Sequence, residues 1–212
     1  MLITLALKGL LVALVPATIV YLSRGEDKYK KLAWVTVFFT FDLILFGAFT
    51  RLTDSGLGCP DWPGCYGEAN PFLAHADISA AQAAMPTGPV TVFKAWIEMI
   101  HRYLASGLGF LILIMAALAI WSKQSLKKVL PYLFLVGLVG VQGALGMLTV
   151  TWLLKPVIVT LHLLGGMLIL ATLVGMHAKE TRNWVKASTV STQSVAWLVT
   201  AIVMLQIALG GW

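Results

Sequence analysis

The chain has 212 residues, of which 59% are hydrophobic and only 11% are charged, and its formal net charge is +6. A soluble globular protein is about one quarter charged, so this composition excludes a solvated enzyme and indicates a polytopic membrane protein. The basic residues are scattered among the connecting segments and form no basic aromatic surface, which excludes nucleic-acid binding.

Six apolar runs are each close to the roughly 20 residues that a helix needs to cross a bilayer. They are Leu2–Ser23, Ala33–Thr50, Phe93–Trp121, Val129–Leu154, Pro156–Met176 and Ser194–Trp212. The runs are continuous and lack the alternation of barrel strands, so we predict an all-α, polytopic transmembrane helical bundle. The first run lacks a basic start and a small-residue cleavage site, which favours a membrane span over a signal peptide.

The charges in the connections predict the orientation of the spans. The first, third and fifth connections are basic and contain Arg24, Lys28, Lys30 and Lys31, then Lys123, Lys127 and Lys128, then Lys179, Arg182 and Lys186. The second connection, residues 52–92, has acidic residues and no Lys or Arg, and the fourth contains little more than Lys155. Because cytoplasmic loops are enriched in Lys and Arg, we expect the N-terminus and the 52–92 loop to face outward.

The 52–92 loop is long enough to suggest a function. It carries Cys59 and Cys65, and an outward-facing loop lies where an oxidising compartment allows a disulfide. Five residues separate the two cysteines, a spacing that matches neither a zinc ligand pair nor a thioredoxin-type pair. The Ala-rich stretch 74–84 predicts a short surface helix, which the Pro and Gly residues at 86–89 would stop.

Four histidines are present, and two of them lie inside spans. We expect His75 in the outer loop and His177 at a helix end to be solvated. His101 and His162 lie at similar depths, about 9–12 Å below the outer starts of two parallel spans. This placement, with small residues following each histidine, suits axial ligation of a haem. The alternative is that the small residues serve helix packing and the imidazoles hydrogen-bond across helices. Zinc is less suited, because only Glu98 shares this depth.

Charged residues near His101 have both functional and structural interpretations. Glu98 shares a helix face with His101 and could orient the imidazole, relay a proton or stabilise positive charge on a substrate. It could equally reach water at the outer interface. Arg51 and Arg102 lie near the same interface, where a guanidinium could pair with a haem propionate or extend to lipid headgroups.

Asp42 lies midway through the second span. Lys8 in the first span is a conceivable partner for it, although their depths match only loosely. We interpret Asp42 as a structural or accessory polar contact, with a role in a proton path as the alternative.

Several motifs resemble haem A synthases. The run Thr50–Gly67, TRLTDSGLGCPDWPGCYG, resembles the first outer loop of that family, and Glu98–Arg102 resembles its Glu-x-x-His-Arg element. The run Gln142–Val150, QGALGMLTV, followed by His162, is similar to the next two helices. The resemblance covers residues 33–212, and the extra N-terminal span is similar to a bacterial variant, from which we expect a bacterial inner membrane.

The resemblance implies an enzyme that converts haem O to haem A by oxidising a ring methyl group to a formyl group, with water as the oxygen source. Its fold would be two pseudo-symmetric four-helix halves, the first holding the reacting haem and the second a haem b. His101 and His162 would be the axial pair of the first half and its only metal ligands, and Glu98 the catalytic acid that stabilises a cation at the methyl carbon. Cys59 and Cys65 would form the loop disulfide.

The implied partners are haem O, the lipid bilayer, haem O synthase, assembly factors of the terminal oxidase and further copies of the chain in a homo-oligomer. Residues 1–32 would be an extra helix and linker, 33–178 the first half-bundle, and 179–212 a linker and the first helix of a second half. Only one histidine pair is present, and the ending Leu209–Trp212 echoes Phe46–Phe49, so we expect an N-terminal fragment.

Two other functions fit a histidine pair in a bundle. One is a membrane bis-histidine b-type cytochrome for electron transfer, and the other is a haem-handling assembly protein of the respiratory oxidase. Glu98 favours the enzyme, because an electron carrier does not need a carboxylate beside its ligand whereas methyl oxidation through a cation does.

Overall fold

The computed structural model describes residues 1–25, 27–180 and 190–210. Within them the chain forms seven helices: α1 (Leu2–Leu22), α2 (Lys28–Leu52), α3 (His75–Ala84), α4 (Val92–Trp121), α5 (Leu126–Thr151), α6 (Pro156–Glu180) and α7 (Val190–Gly210). All except α3 are long and apolar enough to cross a membrane. The predicted all-α polytopic class is therefore confirmed, and α3 is the expected short helix of the outer loop.

The helix ends differ from the ends of the apolar runs. The second helix begins before its apolar run, at a cap where the Asp27 carboxylate accepts the N–H of Lys30 at 3.0 Å. Conversely, α5 ends before its run does, because Leu153 and Leu154 turn the chain with φ values of 50° and 56°. Hydropathy marks the segment that lies in hydrocarbon, whereas backbone hydrogen bonds and caps determine where a helix stops. The predicted end at Trp212 lies outside the described residues.

Four helices form the bundle that positions the site. Both α2 and α5 pack against α4 and α6, so that α4 and α6 lie on the diagonal of the bundle, and their described backbones do not come close to each other. The first helix packs outside this bundle, mainly on α4. Glycines allow this close approach: a Cβ at Gly107 would lie 2.6 Å from Cγ1 of Val12, and a Cβ at Gly9 would overlap Ser106.

A second, smaller apolar cluster lies outside the bundle core and joins the outer loop to α4. Its buried members are Cys59, Cys65, Ala74, Ile78, Ala95 and Met99. The last two belong to the first turns of α4 and the others to the loop and to α3. The loop is therefore a packed cap on the outer end of α4 rather than a loose connection.

Two expectations from the sequence are wrong. His177 is not solvated: only 3% of its surface is exposed, and its ring meets Trp34 edge to face with 4.2 Å between centroids. It is buried because α6 continues past it and turns this residue towards α2. Lys8 does not pair with Asp42, because α1 packs on α4 and carries Lys8 to the outer loop. There its amine donates to the Ala69 carbonyl at 2.8 Å, while Asp42 is exposed on α2.

Candidate functional site

His101 lies on α4 and packs against α2. Its imidazole stacks on the ring of Phe46, with 6.1 Å between centroids and 7° between planes. A Cβ at the next residue, Gly47, would lie 3.2 Å from Cε1 of His101, which is closer than ordinary van der Waals contact. The glycine therefore provides the space that the imidazole occupies.

His162 repeats this arrangement on the opposite side of the bundle. It lies on α6, and a Cβ at Gly146 of α5 would come within 3.3 Å of its Cε1. His101 is nine residues and His162 six residues from the first residue of its helix, which places both about 9–14 Å along parallel helices. The structure thus places the two histidines at similar depth on diagonal helices.

Three buried nitrogens of this region have no hydrogen-bond partner in the part of the chain that the structure describes. They are Nδ1 of His101, Nδ1 of His162 and Nε2 of Gln142. The Gln142 amide packs so tightly over α6 that a Cβ at Gly165 would overlap it. A buried polar group without a partner costs about 1–3 kcal/mol, and a bilayer supplies no water to relieve it. The cluster therefore indicates a site for a ligand that carries polar or metal atoms.

The donor set would suit a haem rather than a bare metal ion. His101 and His162 would hold the iron, and the porphyrin would bring the remaining ligands with it. Among the residues searched, no group of three or more His, Cys, Asp or Glu side chains is placed to hold a metal ion.

Glu98 contacts the outer loop. Its side chain is buried, one carboxylate oxygen accepts the N–H of Cys59 at 2.8 Å, and the other accepts from the Arg102 guanidinium one turn further along α4. No hydrogen bond joins Glu98 to the free Nδ1 of His101 within the described chain, so the carboxylate does not orient the imidazole through that nitrogen. Glu98 does not reach water at the interface either, because both its oxygens are bonded inside the protein.

Arg102 also bonds to the outer loop. It is buried, and its guanidinium donates to the carbonyls of Asp61, at 3.0 Å, and of Gly64, in addition to Glu98. Arg51, by contrast, is exposed at the outer end of α2. Both arginines lie near the outer end of the bundle, but only Arg51 presents its side chain at the surface.

Cys59 and Cys65 form a disulfide, and both are fully buried. The ring between them also contains Asp61, whose carboxylate accepts the N–H groups of Tyr66 at 2.6 Å and Gly67 at 2.8 Å. These two hydrogen bonds join Asp61, inside the disulfide ring, to the residues that directly follow Cys65. The disulfide, the Glu98 carboxylate and Arg102 together hold the loop against α4.

Tyr66 titrates above its usual range. Partial burial raises the pKa of its phenol, and the carboxylates of Asp77 and Asp61 raise it further. His75, the other titratable residue of the loop singled out from the sequence, is exposed on α3 as expected, with Ser79 Oγ at 3.4 Å from Nε2.

The interpretation from sequence missed Gly47, Gly146 and Gln142 as parts of the site. A signal for the glycines was present, because each begins a Gly-x-x-Thr pattern near the end of the helix that precedes a histidine helix, with Thr50 and Thr149 as the threonines. No sequence pattern marked Gln142, because what singles it out is a side-chain amide that packing leaves buried without a hydrogen-bond partner among the described residues.

Comparison with known proteins agrees with this geometry. The model of the cytochrome oxidase assembly protein family, COX15-CtaA, matches residues 30–212. The chain is 45% identical over 188 residues to a heme A synthase of Shewanella oneidensis, covering 86% of this chain and 56% of that protein. It is 31% identical over 190 residues to a heme A synthase of Methylobacterium radiotolerans, covering 80% and 51%.

The chain spans about half the length of the curated relatives it matches. No solved structure matches it. The family match includes both histidines, both cysteines and the glycines that pack on the imidazoles. The resemblance found in the motifs is thereby confirmed, and this chain belongs to the COX15-CtaA family of cytochrome oxidase assembly proteins.

Proposed function

We propose that this chain forms the first haem site of a haem A synthase, which oxidises a ring methyl group of haem O to the formyl group of haem A. The observation that carries the proposal is the pair of imidazoles on diagonal helices, each packed against a glycine and each with a buried Nδ1 that has no hydrogen-bond partner among the described residues. The names of the relatives support a synthase over the electron-transfer cytochrome and the assembly protein that spacing alone left open.

His101 and His162 are the proposed axial ligands of the substrate iron. The porphyrin supplies the redox chemistry when bound, and the protein supplies its orientation and surroundings. Arg51 and Arg102 are the proposed propionate contacts: Arg51 is exposed at the outer end of α2, and Arg102 bonds to loop carbonyls and to Glu98. A propionate contact by Arg102 requires it to exchange one of these partners.

Glu98 is proposed to act on the site as the family resemblance implies, as a carboxylate that stabilises positive charge at the methyl carbon. Its burial supports this role, because an electrostatic interaction is stronger where water is excluded. Its bonds to Cys59 and Arg102 support a second role, which is to hold the disulfide loop over the outer end of the site.

The conversion of a methyl to a formyl group by water releases four protons and four electrons. An electron acceptor is therefore required, and we propose that a haem b in a second half of the protein passes these electrons on, one at a time. In this proposal residues 33–178 are the first half-bundle, 1–32 the extra helix with its linker, and 179–212 the linker with the first helix of the second half. The chain spans about half the length of the relatives it matches, which supports this division.

We further propose a bacterial inner membrane location with the N-terminus and the 52–92 loop outside. The alternation of basic and non-basic connections supports this orientation, and so does a disulfide in that loop. Haem O synthase, oxidase assembly factors and further copies of the chain are proposed partners. Reporter fusions to the loop and to the 122–125 connection would show opposite sidedness if the orientation is correct.

Pigment extraction tests the proposed reaction. The full-length protein containing this chain is expressed in cells that make haem O but no haem A, and membrane pigments are separated. We expect haem A with the unchanged protein and with His75→Ala, the matched control, whose imidazole is exposed on α3. We expect no haem A, and less haem bound in the first half, with His101→Ala or His162→Ala.

Glu98→Gln tests the carboxylate in the same assay, both for its charge at the methyl carbon and for its attachment of the loop. We expect this variant to retain haem and to make no haem A. Haem A at the unchanged level would remove Glu98 from the chemistry. Unchanged haem spectra in both histidine variants would rule out axial ligation and, with it, the proposed site.

A further inference from the structure

A large cavity lies at the end of the bundle opposite the candidate haem site. Its volume is about 1060 Å³, and five helices (α1, α2, α4, α5 and α6) line it. Thr172 of its wall is ten residues past His162 along α6, which is about 15 Å further through the bundle. The cavity is therefore separate from the histidine site, and nothing in the proposed reaction uses it.

The wall of the cavity changes character along its length. The part within the bundle is apolar and includes Ala17, Val20, Leu32 and Ile114, whereas the part near the helix ends is polar. The polar part includes three lysines, Lys28, Lys127 and Lys128, and no acidic residue is among the described side chains that line the cavity. An apolar wall that ends in a cluster of lysines is complementary to an anionic amphiphile.

The start of α5 adds to this positive charge. No side chain caps this helix, and the first backbone bonds that reach Ser125 come from Lys128 at 2.8 Å and Val129 at 3.2 Å. The earlier N–H groups of a helix without a cap are open to an anion, and the helix dipole favours negative charge there. Lys28 has a structural task as well, because its amine donates to the Tyr21 carbonyl at the end of α1 at 2.7 Å. Within the described chain the Lys128 amine contacts only Oε1 of the neighbouring Gln124, at 3.3 Å and on an exposed surface, so Lys127 and Lys128 are the lysines whose replacement tests a ligand.

We propose that this cavity binds one anionic phospholipid of the surrounding bilayer. Its phosphate lies against Lys127, Lys128 and the start of α5, and its acyl chains follow the apolar wall between α1 and α4. A free phosphate would leave that wall uncovered. A zwitterionic lipid would bring a cation towards the lysines. Anionic phospholipids are present at high concentration at this level of a membrane, and basic pockets between transmembrane helices are typical sites for them.

Native mass spectrometry of the full-length protein tests the proposal. The purified protein is stripped of lipid and titrated with phosphatidylglycerol, with phosphatidylcholine and with inorganic phosphate. We expect one phosphatidylglycerol to bind tightly, phosphatidylcholine to bind more weakly, and inorganic phosphate not to compete at equal concentration. Equal binding of the two lipids would overturn the proposal, and so would competition by phosphate at the affinity of the lipid.

Matched variants locate the site. Replacing Lys127→Gln and Lys128→Gln together should weaken phosphatidylglycerol binding roughly thirtyfold, since each lysine near a headgroup contributes about fivefold. Lys123→Gln, in the same connection but outside the cavity wall, is the control and should bind normally. Ala17→Phe fills the apolar part, leaves the lysines in place, and should also reduce binding. Control-like binding by either test variant would contradict the proposed position. Melting temperatures close to that of the unchanged protein would show that the variants fold.

Discussion

The Glu98→Gln variant removes one charge from the buried pair that ties the outer loop to α4, while it keeps the size of the side chain. Breaking one side of a buried ion pair costs about 3–5 kcal/mol, and the Gln amide retains an acceptor, so we expect about 3 kcal/mol. The Glu98 carboxylate accepts the Cys59 N–H at 2.8 Å, so this cost falls on the attachment of the loop. Amide exchange across residues 58–66 should therefore become roughly a hundredfold faster, at tenfold per 1.4 kcal/mol.

Lys94→Gln is the matched control for this prediction. Lys94 also joins α4 to the loop, through an ion pair of 2.7 Å with Asp54, but the Asp54 side chain is 83% exposed. An exposed pair contributes about 0–1 kcal/mol, so exchange should rise by less than about fivefold. Hydrogen-exchange mass spectrometry of both variants measures the contrast. Equal exchange rates in the two variants would refute the reasoning that burial makes the Glu98 pair the stronger attachment.

Three further predictions follow from other contacts. Gly47→Val should displace the imidazole of His101 and lower haem binding, measured by spectroscopic titration, about tenfold or more. The control Gly137→Val, where no atom lies within 4 Å of a new Cβ, should bind haem as before. Equal losses of haem binding in the two variants would contradict the role of Gly47. Lys8→Met should speed amide exchange in residues 67–71 about tenfold, because the loop loses a charged hydrogen-bond donor; unchanged exchange would mean that α1 does not hold the loop. The ultraviolet titration of the unchanged protein minus that of Tyr66→Phe should show one phenol with a midpoint above pH 10.0, since the pKa of Tyr66 is raised. A midpoint at or below pH 10.0 would count against the partly buried environment of this phenol.

Features that depend on local sequence were predictable. The spans follow from the length of apolar runs, because every backbone group in hydrocarbon must bond within its own helix. The similar depth of His101 and His162 follows from their positions in the sequence, since the rise per residue is constant along parallel helices. The position of α3 follows from alanines that end at Pro86, which cannot continue a helix.

Features that depend on which helix faces meet were not predictable. His177 lies near a helix end, and its burial depends on the contact between α6 and Trp34 of α2, which no local pattern encodes. The partner of Lys8, the Ala69 carbonyl, was not predictable for the same reason. It depends on the packing of α1 on α4, where Gly9 and Gly107 allow close approach. The lack of a partner for the Gln142 amide is likewise a property of the packed bundle.

One helix carries both the loop attachment and a histidine. On α4, Glu98 and His101 are three residues apart, and each residue turns a helix by about 100°. Inserting or deleting a single residue between them would swing one group away from its target while the other stayed in place. The loop attachment and the histidine therefore depend on each other through the three-residue spacing on α4, although neither side chain bonds to the other in the described chain.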